Sequence, residues 1–386
     1  MSVLEETFEK TKNIEHNFEK KRVLFIGSES YDGATITVIE GLHTLGFEIL
    51  TFKKENINSW FCNKIIHDLS QIEDTIDFVL SNLHWGTRWS IYNNLQHSVP
   101  YILIDGDDRL HESNVSDYKV KYQKYLKVFR SGVSETLKNQ ILSPCRWIEP
   151  MPENYHPDVV FMSQKYKINT NAIYLPFGIN STYLTESSLK KTVHDRDIDI
   201  CHIPGPGEYR NRMVQFVDGK AFKNRNVWNR KVYGEMSVDD KIKNKCEEDK
   251  NIHSWHRWRV CKDYHNTLMN SKISIISLID KYNAPGWESK RVYEALSFGS
   301  YVVFQKQPDF DNSSYPIEEI GDGVLITYED YNEMADKCND LLDNQVVLEE
   351  KRVECYKKAM KYFTPEPITR YFLWHCWLFQ KNAGKK

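Results

Sequence analysis

Short apolar runs that stop at a glycine or polar loop and lead into a helical stretch recur along this chain. That alternation limits its fold more than any other feature. The first run, residues 23–26 in KRVLFIGSES, is too short for a buried helix and ends at Gly27, as a strand entering a βαβ unit does. Residues 33–45 follow as a helix with Val38, Ile39, Leu42 and Leu45 on one face. Gly46 closes it as a C-cap, and a strand over 47–52 comes next. Further strands are expected at 76–80, 101–104, 126–129 and 172–175. Strands alternating with helices argue for a mostly parallel sheet covered on both faces.

The polar stretch ESSLKKTVHDRD (186–197) reads as a linker, after which the pattern starts again. The second set has strands at 198–203, 273–277, 301–304 and 323–327, and helices at 260–270, 289–298, 330–342 and 346–362. A last helix, 367–380, is rich in Trp and Phe; Trp374, His375 and Trp377 are expected in its core, and the helix is expected to pack back across the first domain. At about 150 residues per domain, 386 residues allow two or three domains. The expected division is an N-terminal extension (1–20), a Rossmann-like domain (21–178), a linker (179–197), a second Rossmann-like domain (198–365) and the C-terminal helix (366–386).

Composition narrows the function classes. A net charge of −3 excludes a simple polybasic nucleic-acid binder. The eight cysteines are scattered, with no CxxC pair, which reads as reduced thiols of a cytoplasmic protein. The first residues lack the apolar core of a signal peptide, and no stretch reaches the roughly 20 apolar residues of a transmembrane span.

The most informative segment is NAPGWESKRVYEALSFGSYVVF (283–304). A helix is expected to open after Gly286, carrying Lys290, then Arg291 and Glu294 on neighbouring positions of one surface, and to end at Gly299 before a buried strand. Exposed N–H groups at a helix start suit a diphosphate, an arginine neutralises it, and a carboxylate accepts hydrogen bonds from ribose hydroxyls. The bland alternative is a solvated i,i+3 ion pair on a surface helix.

The run from Arg291 to Ser300, RVYEALSFGS, resembles the donor-site helix of GT-B glycosyltransferases, nearest the spore-maturation-protein-like branch, whose members tend to read R-x-(F/Y)-E-A-x-(A/S)-x-G before a strand. The resemblance implies a GT-B architecture, two Rossmann-like domains facing a central cleft. It also implies further donor-side pieces: Ser277 after SKISIISLI, the glycine loop Gly205-Pro206-Gly207 with Arg210 and Arg212, and the phrase LPFGI at 175–179. Many retaining members carry two Glu seven residues apart on this helix. Here the first position is Gly286, with Glu288 out of register, so stereochemistry stays open.

The first domain is expected to hold the acceptor and a base. Gly27 and Ser28 follow its first strand and permit close approach of a ligand. His84 follows the third strand, and Asp105, Asp107 and His111 follow the fourth; Asp105, Asp107 and His84 are the candidate bases, though each could equally cap a turn. The Asp cluster could also take a divalent cation, but the resemblance implies no catalytic metal. The cluster HSWHRWR (253–259) could stack on a base or sugar, or pack an interface.

The expected activity is hexosyl or pentosyl transfer from a nucleotide-diphosphate sugar, a co-substrate with no further cofactor, to a hydroxyl of a glycan or surface polysaccharide. A modified DNA base is the weaker acceptor, drawn from the basic stretch Lys119, Lys121, Lys124, Lys127 and Arg130. A catalytically silent nucleotide-sugar or glycan-binding module and a nucleotide-sugar epimerase are the competing readings.

Overall fold

The computed structural model describes residues 2–26, 33–52, 64–66, 72–82, 99–105, 159–162, 173–179, 191–202, 217, 220–222, 224–229, 262–276, 290–306, 320, 325–327 and 331–383. The expected strand at 126–129 and the cluster at 253–259 lie outside them. The chain divides into two compact units: unit 1 is essentially residues 3–178 with 365–386, and unit 2 is 179–364.

Unit 1 is built on a seven-stranded parallel sheet. Its strands are β1 (Arg22–Ile26), β2 (Glu48–Phe52), β3 (Lys64–Ile66), β4 (Phe78–Asn82), β5 (Tyr101–Asp105), β6 (Val159–Met162) and β7 (Ile173–Tyr174). Their order is β3-β2-β1-β4-β5-β6-β7. Val23, Leu24 and Phe25 are wholly buried, as a central parallel strand covered on both faces requires. Val23 stands beside Ile49 on one side and Phe78 on the other.

Helix α2 (Gly33–Thr44) turns back along this sheet and buries Val38, Ile39 and Leu42. It ends in a Schellman motif. Phe47 N–H donates to the Leu42 carbonyl at 2.9 Å, and Gly46 N–H to that of His43 at 3.1 Å. Gly46 has φ +82°, a left-handed conformation that suits glycine.

Residues 1–20, expected as an extension, are part of unit 1. Helix α1 (Val3–Thr11) and the 3₁₀ turn Ile14–Asn17 bury Leu4 and Ile14. Phe18 meets Phe47 and Phe78 edge-on at centroid distances of 5.8 and 6.0 Å. Buried Glu15 accepts from Arg370 Nε and Nη2 at 3.1 and 3.0 Å. Burial pushes the Glu15 carboxyl up, but the Arg370 hydrogen bond and charge outweigh it and hold the pKa below the usual carboxylate range.

Arg370 belongs to the last helix, Pro365–Ala383, which returns the chain to unit 1 and packs on α2. Two small positions let these helices approach. A Cβ on Gly41 would lie 2.0 Å from Thr369 Oγ1 and 2.4 Å from the Pro365 carbonyl oxygen. Thr369 Oγ1 donates to the Val38 carbonyl at 3.2 Å. Trp374, His375 and Trp377 are half-buried rather than fully enclosed in the core. The two indoles lie 5.2 Å apart, with Lys10 and Lys381 over them.

Unit 2 has a five-stranded parallel sheet: β8 (Ile198–His202), β9 (Val227–Asn229), β10 (Ser271–Ile276), β11 (Tyr301–Lys306) and β12 (Leu325–Thr327). The order is β12-β11-β10-β8-β9. Its described helices are α3 (Lys262–Met269), α4 (Lys290–Ser297), α5 (Tyr331–Asp343) and α6 (Gln345–Tyr362), which makes the returning helix of unit 1 α7. Residues 191–197, expected within a linker, are bound into this unit. Val193 and Arg196 are buried, and a capping box joins Thr192 to Asp195. A buried arginine has several donors to place, and Arg196 turns both Nη groups to carbonyls of unit 2 itself.

Candidate functional site

In an open parallel sheet, ligands bind outside the carboxyl ends of the strands where the strand order reverses. Unit 1 reverses between β1 and β4, since β2 and β3 extend one way and β5 the other. Unit 2 reverses between β8 and β10. Most of the candidate residues follow, in sequence, the strands that flank these points, whereas Asp105 and Asp107 belong one strand further out. Gly27 and Ser28 directly follow β1, and His84 follows β4. Asp105 is the last residue of β5, beside Met162 of β6, and Asp107 follows it. Gly205, Gly207 and Arg210 follow β8, and Ser277 directly follows β10. Of these, Asp105 alone is described, by its backbone. Gly27, Ser28, His84, Asp107, Gly205, Gly207, Arg210, Ser277 and Gly286 lie outside the described residues.

Lys290, Arg291 and Glu294 are described together on α4. Their exposures are 8%, 9% and 0%, and every residue of the helix is buried. A solvated ion pair on a surface helix is therefore not what this segment forms. A helix start carries a partial positive charge and ordinarily attracts acidic side chains. Here the first turn has no acid and two cations, with one carboxylate a turn later. A buried helix start carrying two basic side chains and no acid in its first turn suits an anion.

The opposite end of α4 is fastened by a second set of charges. It finishes in its own Schellman motif, with Ser300 N–H donating to Ala295 O at 3.2 Å, Gly299 N–H to Leu296 O at 2.9 Å, and Gly299 at φ 67°. Arg352 Nη1 donates to the Gly299 carbonyl at 2.9 Å, and Arg196 Nη2 to that of Phe298 at 3.2 Å. Arg196 Nη1 also reaches Ser271 O at 2.8 Å and Leu268 O at 3.4 Å, tying in the start of β10 and the last turn of α3. Glu349 accepts from Arg352 Nε at 3.0 Å and Nη2 at 2.5 Å, and from the Val193 amide at 2.8 Å. Burial pushes the Arg196 pKa down to about 9, Arg352 adds to the shift, and Glu349 opposes it. Burial pushes the Glu349 carboxyl up, but its bonds to Arg352 and Val193 prevail and lower its pKa.

Sequence reasoning missed this network, because Arg196 fell in the expected linker and Arg352 inside the expected helix at 346–362, with no role drawn for either. It also missed His202, the wholly buried last residue of β8, beside Asn229 and Ile275 at the reversal point. The available signal was an imidazole set between Cys201 and Ile203 near the end of a strand-like run, shortly before a glycine loop. Among the described residues no group of three His, Cys, Asp or Glu side chains is placed to hold a metal ion. No described helix is long and apolar enough to cross a membrane.

The two parallel-sheet units make this an α/β protein of GT-B architecture, two Rossmann-like domains in one chain. A solved structure supports this fold. The chain is similar to Anabaena Alr3699/HepE in complex with UDP, with a TM-score of 0.50 and 11% identity over 91% of this chain and 98% of that one. Alr3699/HepE in complex with UDP-glucose gives 0.49 and 12% over 95% and 100%. AviGT4, a glycosyltransferase involved in avilamycin A biosynthesis, gives 0.44 and 10% over 95% and 98%. No family model matches the chain, and no curated protein does.

Proposed function

We propose that this protein is a glycosyltransferase that moves a hexosyl or pentosyl group from a nucleotide-diphosphate sugar to an acceptor hydroxyl. The observation that carries the reading is the buried start of α4, which bears Lys290 and Arg291 in its first turn and Glu294 a turn later. Arg291, with Lys290, neutralises the diphosphate, and Glu294 accepts hydrogen bonds from the ribose. Gly27, Ser28, Gly205, Gly207, Arg210, Ser277 and Gly286 complete the donor-binding set. One base among Asp105, Asp107 and His84 acts on the acceptor. We place the chain nearest the spore-maturation-protein-like branch on its Arg291–Ser300 pattern, and in the cytoplasm on its scattered cysteines.

In the reaction, the acceptor oxygen bonds to the anomeric carbon as the bond from that carbon to the diphosphate oxygen breaks. The base takes the hydroxyl proton. The helix start and its two cations stabilise the charge that grows on the departing diphosphate. A glycan or surface polysaccharide is the proposed acceptor. UDP leads the nucleotides to try, because the structure of like fold is a UDP complex.

Thermal shift against UDP, GDP, ADP, CDP and dTDP tests the donor site. A ligand at about 100 times its Kd adds about 2.7 kcal/mol and raises the melting temperature by about 5–11 °C for a unit of this size. Glu294→Gln keeps the side-chain volume and removes the charge. It should cut affinity for the best diphosphate about tenfold, as loss of a charge-assisted hydrogen bond does. Wild-type affinity in that variant would falsify the assignment. Transfer or slow hydrolysis of the matching nucleotide sugar separates an enzyme from a silent binding module, and donor interconverted without acceptor would mark an epimerase.

A further inference from the structure

We infer that Arg196 and Arg352 are positioning residues, which set where the proposed donor-binding end of α4 lies by fixing the opposite end of that helix. The inference rests on the donor reading above. The two ends of α4 have different company. Lys290 and Arg291 begin it, whereas Phe298 and Gly299, just past its last residue, give their carbonyls to the two guanidiniums. Helix ends leave such carbonyls without partners inside the helix, and cations there are favoured by the helix dipole.

An eight-residue helix is about 12 Å long and stiff. A shift at its C-terminal end is therefore carried to its first turn nearly undiminished. The fastening reaches beyond α4. Through Ser271 O and Leu268 O, Arg196 holds the amino end of β10 and the end of α3. It immediately precedes the segment that enters β8. The strands and helix fastened here at one end are those whose other ends lead to Gly205, Gly207, Ser277 and Arg291 in sequence. Glu349 holds Arg352 through two bonds and the Val193 amide through a third, so the carboxylate joins both arginines' segments. A site built from separate elements needs them held to about 0.5 Å, and a 1 Å misplacement costs about a hundredfold in rate.

The test measures affinity by calorimetry at 20 °C for the tightest binder among UDP, GDP, ADP, CDP and dTDP. It also follows hydrogen exchange in peptides of α4. Arg352→Met should weaken the diphosphate about tenfold and speed exchange along α4. Arg352→Lys, which keeps the charge and one donor to Gly299 O, should fall between the two. A packing role alone would lower the melting temperature and leave affinity untouched.

Arg352→Met binding within twofold of wild type, while Glu294→Gln binds weakly, overturns the positioning role and leaves the donor site standing. Wild-type affinity in Glu294→Gln, or a wild type that binds none of the five, overturns the donor site and this inference with it. If Arg352→Met does not fold, Glu349→Gln replaces it. That variant keeps both guanidiniums but loosens the hold on Arg352, and it should weaken the diphosphate in the same direction; unchanged affinity there overturns the inference.

Discussion

Gly41 is in the interior of α2, where glycine costs about 1 kcal/mol relative to alanine in helix propensity. Gly41→Ala should nevertheless destabilise unit 1. The new Cβ would stand 2.0 Å from Thr369 Oγ1, 2.6 Å from Thr369 Cβ and 2.4 Å from the Pro365 carbonyl oxygen. Rotating Thr369 relieves the first contact only, and it breaks the 3.2 Å bond to the Val38 carbonyl, worth about 1 kcal/mol. The other two atoms are fixed to the backbone of α7. That helix must therefore withdraw by about 1 Å to restore ordinary contact distances.

Overpacking of this kind costs about 1–3 kcal/mol. With the lost hydrogen bond added and the gain in propensity subtracted, the expected net loss is about 2 kcal/mol. Urea titration gives the global loss, and hydrogen exchange in peptides of α2 and α7 locates it. A Gly41→Ala protein as stable as wild type, with unchanged exchange in both helices, refutes the close-approach argument.

Two further outcomes are expected. Burial, with the Lys10 charge adding, pushes His375 down to about 4. The unfolded chain then binds more protons than the folded one between that value and about 6.5, so stability falls as pH drops through this window, by at most about 3 kcal/mol. His375→Phe should flatten the pH profile of urea unfolding there, and an unchanged slope would count against the burial. The thiols of Cys201 and Cys338, pushed up to about 12 by burial, and those of buried Cys355 and Cys376 should take up iodoacetamide at pH 8 only after unfolding. Peptide mass mapping that finds them labelled in minutes in the native protein contradicts their burial.

The sequence was most informative where one element decides its own burial. The run at 23–26 and the Gly46 stop emerged as β1 and the end of α2 because a continuous apolar run and a left-handed glycine each have one common structural use. The helix at 289–298 appeared as α4 for the same reason, bounded by Gly299. Features decided by distant partners were not legible. Leu4, Ile14 and Phe18 are sparse apolar residues in a charged stretch, and they matter because Phe47 and Phe78 receive Phe18.

The short strands β3, β6 and β9 carry too few residues to show an alternation, and they exist through the neighbours they pair with. The pattern at 291–300 pointed to charged residues of interest on one helix, but not to their burial. A sequence window also cannot reveal that Arg196 and Arg352, far apart in the chain, fasten the other end of that helix.

Unit 1 is discontinuous along the chain: its sheet comes from the first part, whereas α7 follows the whole of unit 2. On the ribosome, where domains generally fold as units in the order they emerge, this order matters. Unit 2 has all its residues before the helix that seals α2 has been synthesised. Until then the surface around Gly41 and Val38 stands open, and a transcript broken before codon 365 would yield a first half that can never close.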